Sequence, residues 1–182
     1  MRVIAGRVKG RRLKGPRGRS GRTRPSSSLV RGAVFSALAS MRADMSRVLD
    51  LYAGSGALGI EALSRGAGWC DFAEQDPLAC SVIRENLRVT GFQQQAEVFC
   101  LPVERALEKL KGPYTLVLAD PPYADATALS ALERLAASLL VVASRTVLVL
   151  EHSAREEPPA WLGELHLISG RRHGDSAVSI YR

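Results

Sequence analysis

The first 43 residues contain no Asp or Glu, although they hold 12 of the 25 Lys and Arg in this 182-residue chain. A segment of one sign cannot neutralise itself through internal ion pairs, which excludes a basic partner and favours a polyanion. Aromatics are scarce, at 5% of the chain, and the basic segment has few. Alone, that segment is expected to grip a phosphate backbone without choosing a base. Cys70, Cys80 and Cys100 are odd in number and lack close-paired spacing. That excludes a disulfide framework and a cysteine-rich zinc site, and the three read as reduced, buried thiols. His152, His166 and His173 are too scattered for a zinc site, so no metal is expected. No apolar run reaches membrane-spanning length, and the basic start lacks the apolar stretch of a secretory leader. A soluble, cytoplasmic monomer with no membrane partner is expected.

What is present suffices for one substantial core, since 46% of the residues are hydrophobic. After residue 43, 13 basic residues meet 18 acidic ones, so the net charge of +7 is concentrated at the start. Arg2, Arg7, Lys9, Arg11, Arg12, Lys14, Arg17, Arg19, Arg22, Arg24 and Arg31 carry it. RNA or another phosphate backbone is the natural partner for such a stretch. The alternative is a solvated tail that contributes only solubility. Residues 2–14 alternate enough, with glycines, to form a short hairpin, and 16–21 reads as a loop. A helix is expected from Ser26 or Ser27, with Val30, Ala33, Val34, Ala37 and Leu38 on one face. This divides the chain into a basic arm over 1–25 and a globular domain over 26–182.

Within the domain, Asp120-Pro121-Pro122-Tyr123 directly follows the strand-like run Tyr114-Thr115-Leu116-Val117-Leu118-Ala119. A strand that stops at two prolines leaves rigid backbone without N–H donors at its carboxyl end, where open α/β sheets place their ligands. The tetrapeptide offers a carboxylate, carbonyl acceptors and an aromatic plate. That combination suits a planar group bearing an exocyclic amine, which needs both acceptors and a stacking face.

A second feature is the strand, glycine turn and helix opening of Val48-Leu49-Asp50-Leu51-Tyr52-Ala53-Gly54-Ser55-Gly56-Ala57-Leu58-Gly59. Gly54 and Gly56 permit backbone angles and close ligand approach that a Cβ would block. The bare glycine pattern also fits a dinucleotide site, but Asp50 would crowd a pyrophosphate with like charge. It could instead accept from a cationic amino-acid group. Glu74, beside Gln75, closes the next strand about 20 residues past the glycines, where an acid can hold a ribose diol. Asp76, followed by Pro77, reads as a helix cap. A ligand with an ammonium group and a ribose but no phosphate is S-adenosyl-L-methionine.

Strands are expected near 47–52, 69–74, 96–101, 114–119 and 146–151, and helices near 57–66, 77–90, 103–110 and 126–140. Two last strands, at 165–168 and 177–181, should flank a turn at Arg171-Arg172-His173-Gly174-Asp175 and end the sheet antiparallel. Residues 156–159 read as a loop. The expectation is an α/β, Rossmann-like fold with a seven-stranded, mainly parallel sheet and an antiparallel C-terminal hairpin.

The glycine turn, the acid after the second strand and Asp-Pro-Pro-Tyr after the fourth occur in the order of amino-directed class I methyltransferases. The match is closer still at Arg2-Val3-Ile4-Ala5-Gly6, Gly10-Arg11-Arg12-Leu13, Thr23-Arg24-Pro25-Ser26, Arg31 with Val34-Phe35, and Leu49 through Arg65. Over nearly its whole length the chain resembles the RsmD family. The resemblance implies S-adenosylmethionine as cofactor and methylation of the N2 amine of a guanine in small-subunit (16S) ribosomal RNA, as RNA or as the assembled subunit. It also implies cofactor contacts from Asp50, Tyr52, Gly54, Ser55, Gly56, Glu74, Gln75, Leu101 and Pro102. Catalytic contacts would come from Asp120, Pro121, Pro122 and Tyr123, and RNA contacts from Arg2, Arg7, Lys9, Arg11, Arg12, Arg22, Arg24 and Arg31. The family commonly has Thr-Asp-Arg where this chain has Ser27-Ser28-Leu29, Glu at Gly32, and a polar residue near Leu101-Pro102. Adenine is therefore expected to be held here by backbone groups and apolar packing. The alternatives are a DNA adenine-N6 or cytosine-N4 methyltransferase, a protein glutamine methyltransferase, an NAD oxidoreductase and a noncatalytic ribosome-assembly factor.

Overall fold

The computed structural model describes residues 1–15, 28–123 and 125–182. Arg22 and Arg24, the loop expected over 16–21 and a helix start at Ser26 or Ser27 lie outside the described residues. The strands are β1 (Arg47–Leu51), β2 (Trp69–Glu74), β3 (Ala96–Cys100), β4 (Leu116–Ala119), β5 (Val147–Ser153), β6 (Trp161–Leu162), β7 (Leu165–His173) and β8 (Ser176–Tyr181). The α-helices are α1 (Ser28–Ser40), α2 (Ala57–Ser64), α3 (Pro77–Thr90), α4 (Val103–Ala106) and α5 (Ala128–Ala136).

The sheet order is β3-β2-β1-β4-β5-β8-β7-β6. β1 to β5 pair in parallel, and β8 enters antiparallel between β5 and β7. Every residue of β4 is buried, as the continuous apolar run requires of a strand covered on both faces. One face packs against α1, α2 and α3 around Val34, Phe35, Ile60, Ile83 and Leu118. The other packs against α4 and α5 around Leu49, Val117, Leu132, Leu135 and Leu148. Asp76 caps α3, accepting from the Leu78 N–H at 2.9 Å with Pro77 in the first turn, a cap worth about 1 kcal/mol.

The sheet has eight strands among the described residues, not seven. The extra strand, β6, is two residues long, too short for any alternation to register in sequence. Arg171, Arg172 and His173 are not a turn either. They extend β7 opposite Val178, Ala177 and Ser176, and the turn is Gly174-Asp175, with Gly174 at φ 67°. Cys70, Cys80 and Cys100 are free thiols, the first two buried and the third half-buried. Burial, with Cys100 beside it, pushes the Cys80 thiol up to about 12.

Residues 1–15 double back on themselves. Arg2 bridges Arg12 antiparallel, and the Leu13 N–H donates to the Met1 carbonyl at 3.0 Å. This hairpin is bonded to α2 and α3. Glu61, fully buried, accepts from the N–H groups of Ile4 (2.8 Å) and Ala5 (3.0 Å) and from Arg65 Nε (2.8 Å). Asn86 accepts from the Lys14 N–H at 2.8 Å and returns a bond to its carbonyl at 3.0 Å. Gly6 lies at φ 83°, where an added Cβ would fall 1.9 Å from the Ser64 carbonyl oxygen. Only glycine permits that approach.

Arg31 is corrected by the same packing. It is 1% exposed, donates to the Arg2 carbonyl at 2.7 Å and lies 3.8 Å from Glu61. It ties the arm to the core and cannot reach a phosphate. Removing one partner of such a buried pair typically costs about 3–5 kcal/mol.

Candidate active site

The carboxyl ends of β3, β2, β1 and β4 lie side by side, with Cys100 opposite Glu74, Ala73 opposite Leu51, and Leu51 opposite Ala119. Leu101, Glu74 with Gln75, Tyr52 and Asp120 therefore sit in a row where the chain leaves the sheet. At a strand spacing of about 4.8 Å the row spans roughly 14 Å.

The turn after β1 is built from left-handed backbone: Tyr52 at φ 56°, Gly54 at 55° and Gly56 at 75°. Glu74 faces this turn. One carboxylate oxygen accepts from the Gly54 N–H at 2.7 Å and the other from the Asp76 N–H at 2.9 Å. A carboxylate has about four acceptor sites, so about two remain. The Tyr52 hydroxyl is buried and finds no hydrogen-bond partner among the described residues. Burial raises its pKa, with the charges of Asp125 and Glu104 adding to the effect. A buried polar atom left unmatched beside a row of acceptors is a place where a polar ligand atom fits.

Two sequence candidates look elsewhere. Asp50 is 1% exposed and accepts from the Gly59 N–H at 2.8 Å, so its observed task is to hold the first turn of α2. Burial pushes its carboxyl well above the usual range, the Gly59 bond opposes this, and Asp120 and Glu74 add to the rise. Ser55 is 6% exposed, with its hydroxyl toward Met1 Sδ at 3.5 Å. Gln75 and Pro102 are exposed at the rim of the row, and Leu101 is half-buried, packed against the core below it.

Asp120 follows β4 at the end of the row, half-buried, and Pro121 is buried behind it. The Pro122 carbonyl accepts from the Asp125 N–H at 2.8 Å. No hydrogen bond to the Pro121 carbonyl is seen among the described residues. Tyr123 is 49% exposed, and its hydroxyl bonds the Ser176 hydroxyl at 2.5 Å. Ser176 opens β8, so the C-terminal hairpin fixes the ring of the motif.

Beyond Asp120, over β5, a cavity of about 360 Å³ opens between the tetrapeptide and the segment after β5. Pro121, Tyr123, Leu132, His152, Glu156 and Glu157 are among its walls. His152 Nδ1 donates to the Ser153 carbonyl at 2.9 Å, which leaves Nε2 to accept from the Ser179 hydroxyl at 2.9 Å. Sequence reasoning missed Ser176, His152 and the two glutamates. Residues 156–159 read only as a loop, because nothing local marks them as the wall of a cavity.

In the arm, Lys9, Arg11 and Arg12 are exposed and have no side-chain partner among the described residues. Arg2 and Arg7 are also exposed, but they spend donors inside the protein, on the Gly10 carbonyl (2.9 Å) and on Gln95 (3.0 Å). Among the described residues no cluster of His, Cys, Asp or Glu could hold a metal ion. No described helix is long and apolar enough to cross a membrane.

The sheet order and the glycine turn after β1 define a class I methyltransferase fold. The family described as "Conserved hypothetical protein 95" matches residues 1–182. A Bacillus subtilis protein named "Putative rRNA methyltransferase YlbH" is 36% identical over 185 residues, covering 100% of this chain and 98% of that one. "Ribosomal RNA small subunit methyltransferase D" of Escherichia coli K12 is 36% identical over 123 residues, covering 68% of this chain and 60% of that protein. The solved structure of a hypothetical protein from Thermus thermophilus has a TM-score of 0.83 at 34% identity, covering 99% of this chain and 98% of that one. The chain belongs to the Conserved hypothetical protein 95 family, the RsmD family that its motifs resemble.

Proposed function

We propose that the protein transfers a methyl group from S-adenosyl-L-methionine to the exocyclic N2 amine of a guanine in small-subunit (16S) ribosomal RNA. The observation that carries this reading is the juxtaposition at Asp120. On one side lies the row of acceptors and left-handed backbone, and on the other a cavity of about 360 Å³. The names of the YlbH and methyltransferase D relatives point to ribosomal RNA as the acceptor.

The residues of the row fit the cofactor. Glu74 has acceptor capacity left for a ribose diol, and the glycine turn leaves room for the amino-acid end. An added Cβ at Gly54 would meet only the Tyr52 carbonyl oxygen, at 4.0 Å, whereas Gly56 faces the core, where a Cβ would approach Ile83 and Phe72 to 3.2 and 3.3 Å. Leu101 and Pro102 would pack on adenine, with Gln75 at the rim. Asp50 serves the turn by holding Gly59, and the Tyr52 hydroxyl takes a polar ligand atom. Bound there, the cofactor supplies a methyl carbon made electrophilic by a sulfonium.

The chain supplies orientation. Asp120 and the Pro121 carbonyl accept from the target amine and turn its lone pair toward the methyl. These contacts strengthen as the nitrogen loses conjugation with its ring, and they favour the transition state over the ground state. Pro122 keeps the loop rigid and uses its own carbonyl on Asp125. Tyr123, held by Ser176, stacks on a base withdrawn from its RNA surroundings. Positioning of this kind can supply several kcal/mol, up to roughly 7–11 in the best cases.

The cavity favours guanine. Guanine alone among the four common bases sets two donors side by side on its pairing edge, N1–H and the N2 amine. Asp125, Glu156 and Glu157 line the cavity, and ionised carboxylates only accept. Adenine and cytosine would each turn a ring-nitrogen acceptor toward them. Lys9, Arg11 and Arg12, with Arg2, Arg7, Arg22 and Arg24, would hold the phosphate backbone, so residues 1–25 act as an RNA-binding arm on a catalytic domain over 26–182.

The test is transfer of labelled methyl to small-subunit ribosomal RNA, free and assembled, from cells lacking the modification. Wild type should label one of these substrates and Asp120→Ala should not. Labelling that persists in Asp120→Ala would remove that carboxylate from the chemistry.

A further inference from the structure

The outer strand of the C-terminal hairpin carries two arginines that the arm-centred view of RNA binding leaves unused. Arg171 and Arg172 are exposed, and neither has a side-chain partner among the described residues. Two arginines elsewhere beside the sheet differ: Arg47 pairs Asp71 at 3.2 Å, and Arg145 lies 3.5 Å from Asp44. β6 pairs β7 only at Leu165 and His166, so the arginines lie on a stretch of β7 with no outer strand neighbour among the described residues.

The register places them relative to the site. His152 of β5 pairs Ala177 of β8, and Ala177 pairs Arg172 of β7. Residues directly opposite across a sheet share a face, so His152, Ala177 and Arg172 form one row on the cavity side. Two strand spacings put the Arg172 backbone about 10 Å from that of His152, which lines the cavity. The intervening side chain is only the methyl of Ala177. Arg155, also exposed and without a side-chain partner among the described residues, follows β5 at the same end of the sheet. Arg171 projects from the opposite face, where it lines a shallow groove with Ala33, Val34 and Ala37 of α1. That helix leads back toward the basic arm.

We propose that Arg172 and Arg171, on the two faces of this edge of β7, form a second phosphate-binding surface along the edge, with Arg172 the nearer to the nucleotide in the cavity. This rests on the proposed RNA methylation and deepens it. The arm supplies affinity at a distance from the reacting atoms. Arg172 grips a phosphate beside the withdrawn base and sets how deeply it enters, while Arg171 holds the backbone as it passes the strand edge. An arginine fork suits this task, since it meets two phosphate oxygens at once. Exposed arginines on an edge strand can also serve merely to keep sheets from pairing edge to edge. The two roles differ in what they change.

The experiment uses the full chain with Arg171→Ala, Arg172→Ala, both together, and Arg172→Lys. RNA affinity is measured across a salt series, single-turnover methylation at saturating RNA, and cofactor affinity and oligomeric state alongside. The slope of log affinity against log salt should fall by roughly 0.7–0.9 for each arginine that met a phosphate. Arg172→Ala should slow saturated methylation on the order of tenfold, as expected when a reacting group is misplaced. Arg172→Lys should recover most of the salt slope and less of the rate, and cofactor affinity should not move. An unchanged slope and rate in the double variant would overturn the proposal, and self-association with normal methylation would assign the arginines to edge protection. Failure of the wild type to methylate any RNA would instead refute the proposed function, a result read without the variants.

Discussion

Replacing Glu74 probes the cofactor row most sharply, because its carboxylate is already half committed. It accepts from the N–H groups of Gly54 at 2.7 Å and Asp76 at 2.9 Å, each bond occupying one oxygen. The remaining sites, about two of four, match a ribose diol. Two hydrogen bonds to a charged acceptor are worth about 1.5–3 kcal/mol on a conservative reading. Glu74→Ala should therefore weaken S-adenosylmethionine binding roughly 10- to 150-fold. The stability cost should be smaller, about 1 kcal/mol, because the residue is only half-buried and water can replace part of the contact. Glu74→Gln is the more diagnostic change. An amide oxygen can serve Gly54 or Asp76 but not both, and its NH2 would face the other N–H. Gln should thus bind the cofactor nearly as poorly as Ala, despite its matching shape. Calorimetric titration, with the melting temperature followed in parallel, measures both effects. If Glu74→Gln kept wild-type affinity, the carboxylate would not be the ribose acceptor and the cofactor would lie elsewhere along the sheet.

Three further outcomes follow from the same geometry. Asp120→Ala should leave cofactor affinity within about twofold while lowering the single-turnover rate about a hundredfold or more, since its contacts belong to the amine. Tyr123→Phe and Ser176→Ala each remove the same hydroxyl bond, worth about 0.5–1.5 kcal/mol, so the double variant should be no slower than either single one. Additive losses would mean the two side chains act separately. Burial raises Asp50 above its ordinary value of 3.8, so the native state binds the extra proton between that value and the raised one. Stability should fall as pH climbs through this window, and Asp50→Asn, which keeps an oxygen for Gly59, should flatten the fall. Melting curves from about pH 4.5 to 8 that stay parallel for the two proteins would contradict this.

Much of this architecture is legible because local chemistry and global fold agree. The run from Val48 to Gly59 announces strand, turn and helix, and the turn needs left-handed backbone at two of the glycines that mark it. Asp76-Pro77 gives the α3 cap for the same reason. The features that sequence reasoning misses lack a local signature. Two residues of β6 cannot show a period. Arg171-Arg172-His173 reads as a turn because a polar edge strand alternates no hydrophobicity. Arg31 counts among the surface charges by type, yet Val34, Phe35 and Leu38 lie three, four and seven residues on, the spacing of one helix face. Its burial is written in the sequence, and only its charge conceals it. The cavity cannot be read at all, because its walls come from segments some 30 residues apart that only the sheet brings together.

Whether the cavity beside Asp120 presents a guanine amine is read by digesting the methylated RNA to nucleosides and identifying the product by mass spectrometry. The digest should contain N2-methylguanosine, from a single position, when wild type acts on small-subunit RNA or its assembled subunit. In a parallel RNA with 2,6-diaminopurine at that position, which keeps the amine but loses the N1–H donor, methylation should drop sharply. Methyl found on adenine or cytosine, or equal methylation of the diaminopurine RNA, would mean that the cavity does not select guanine.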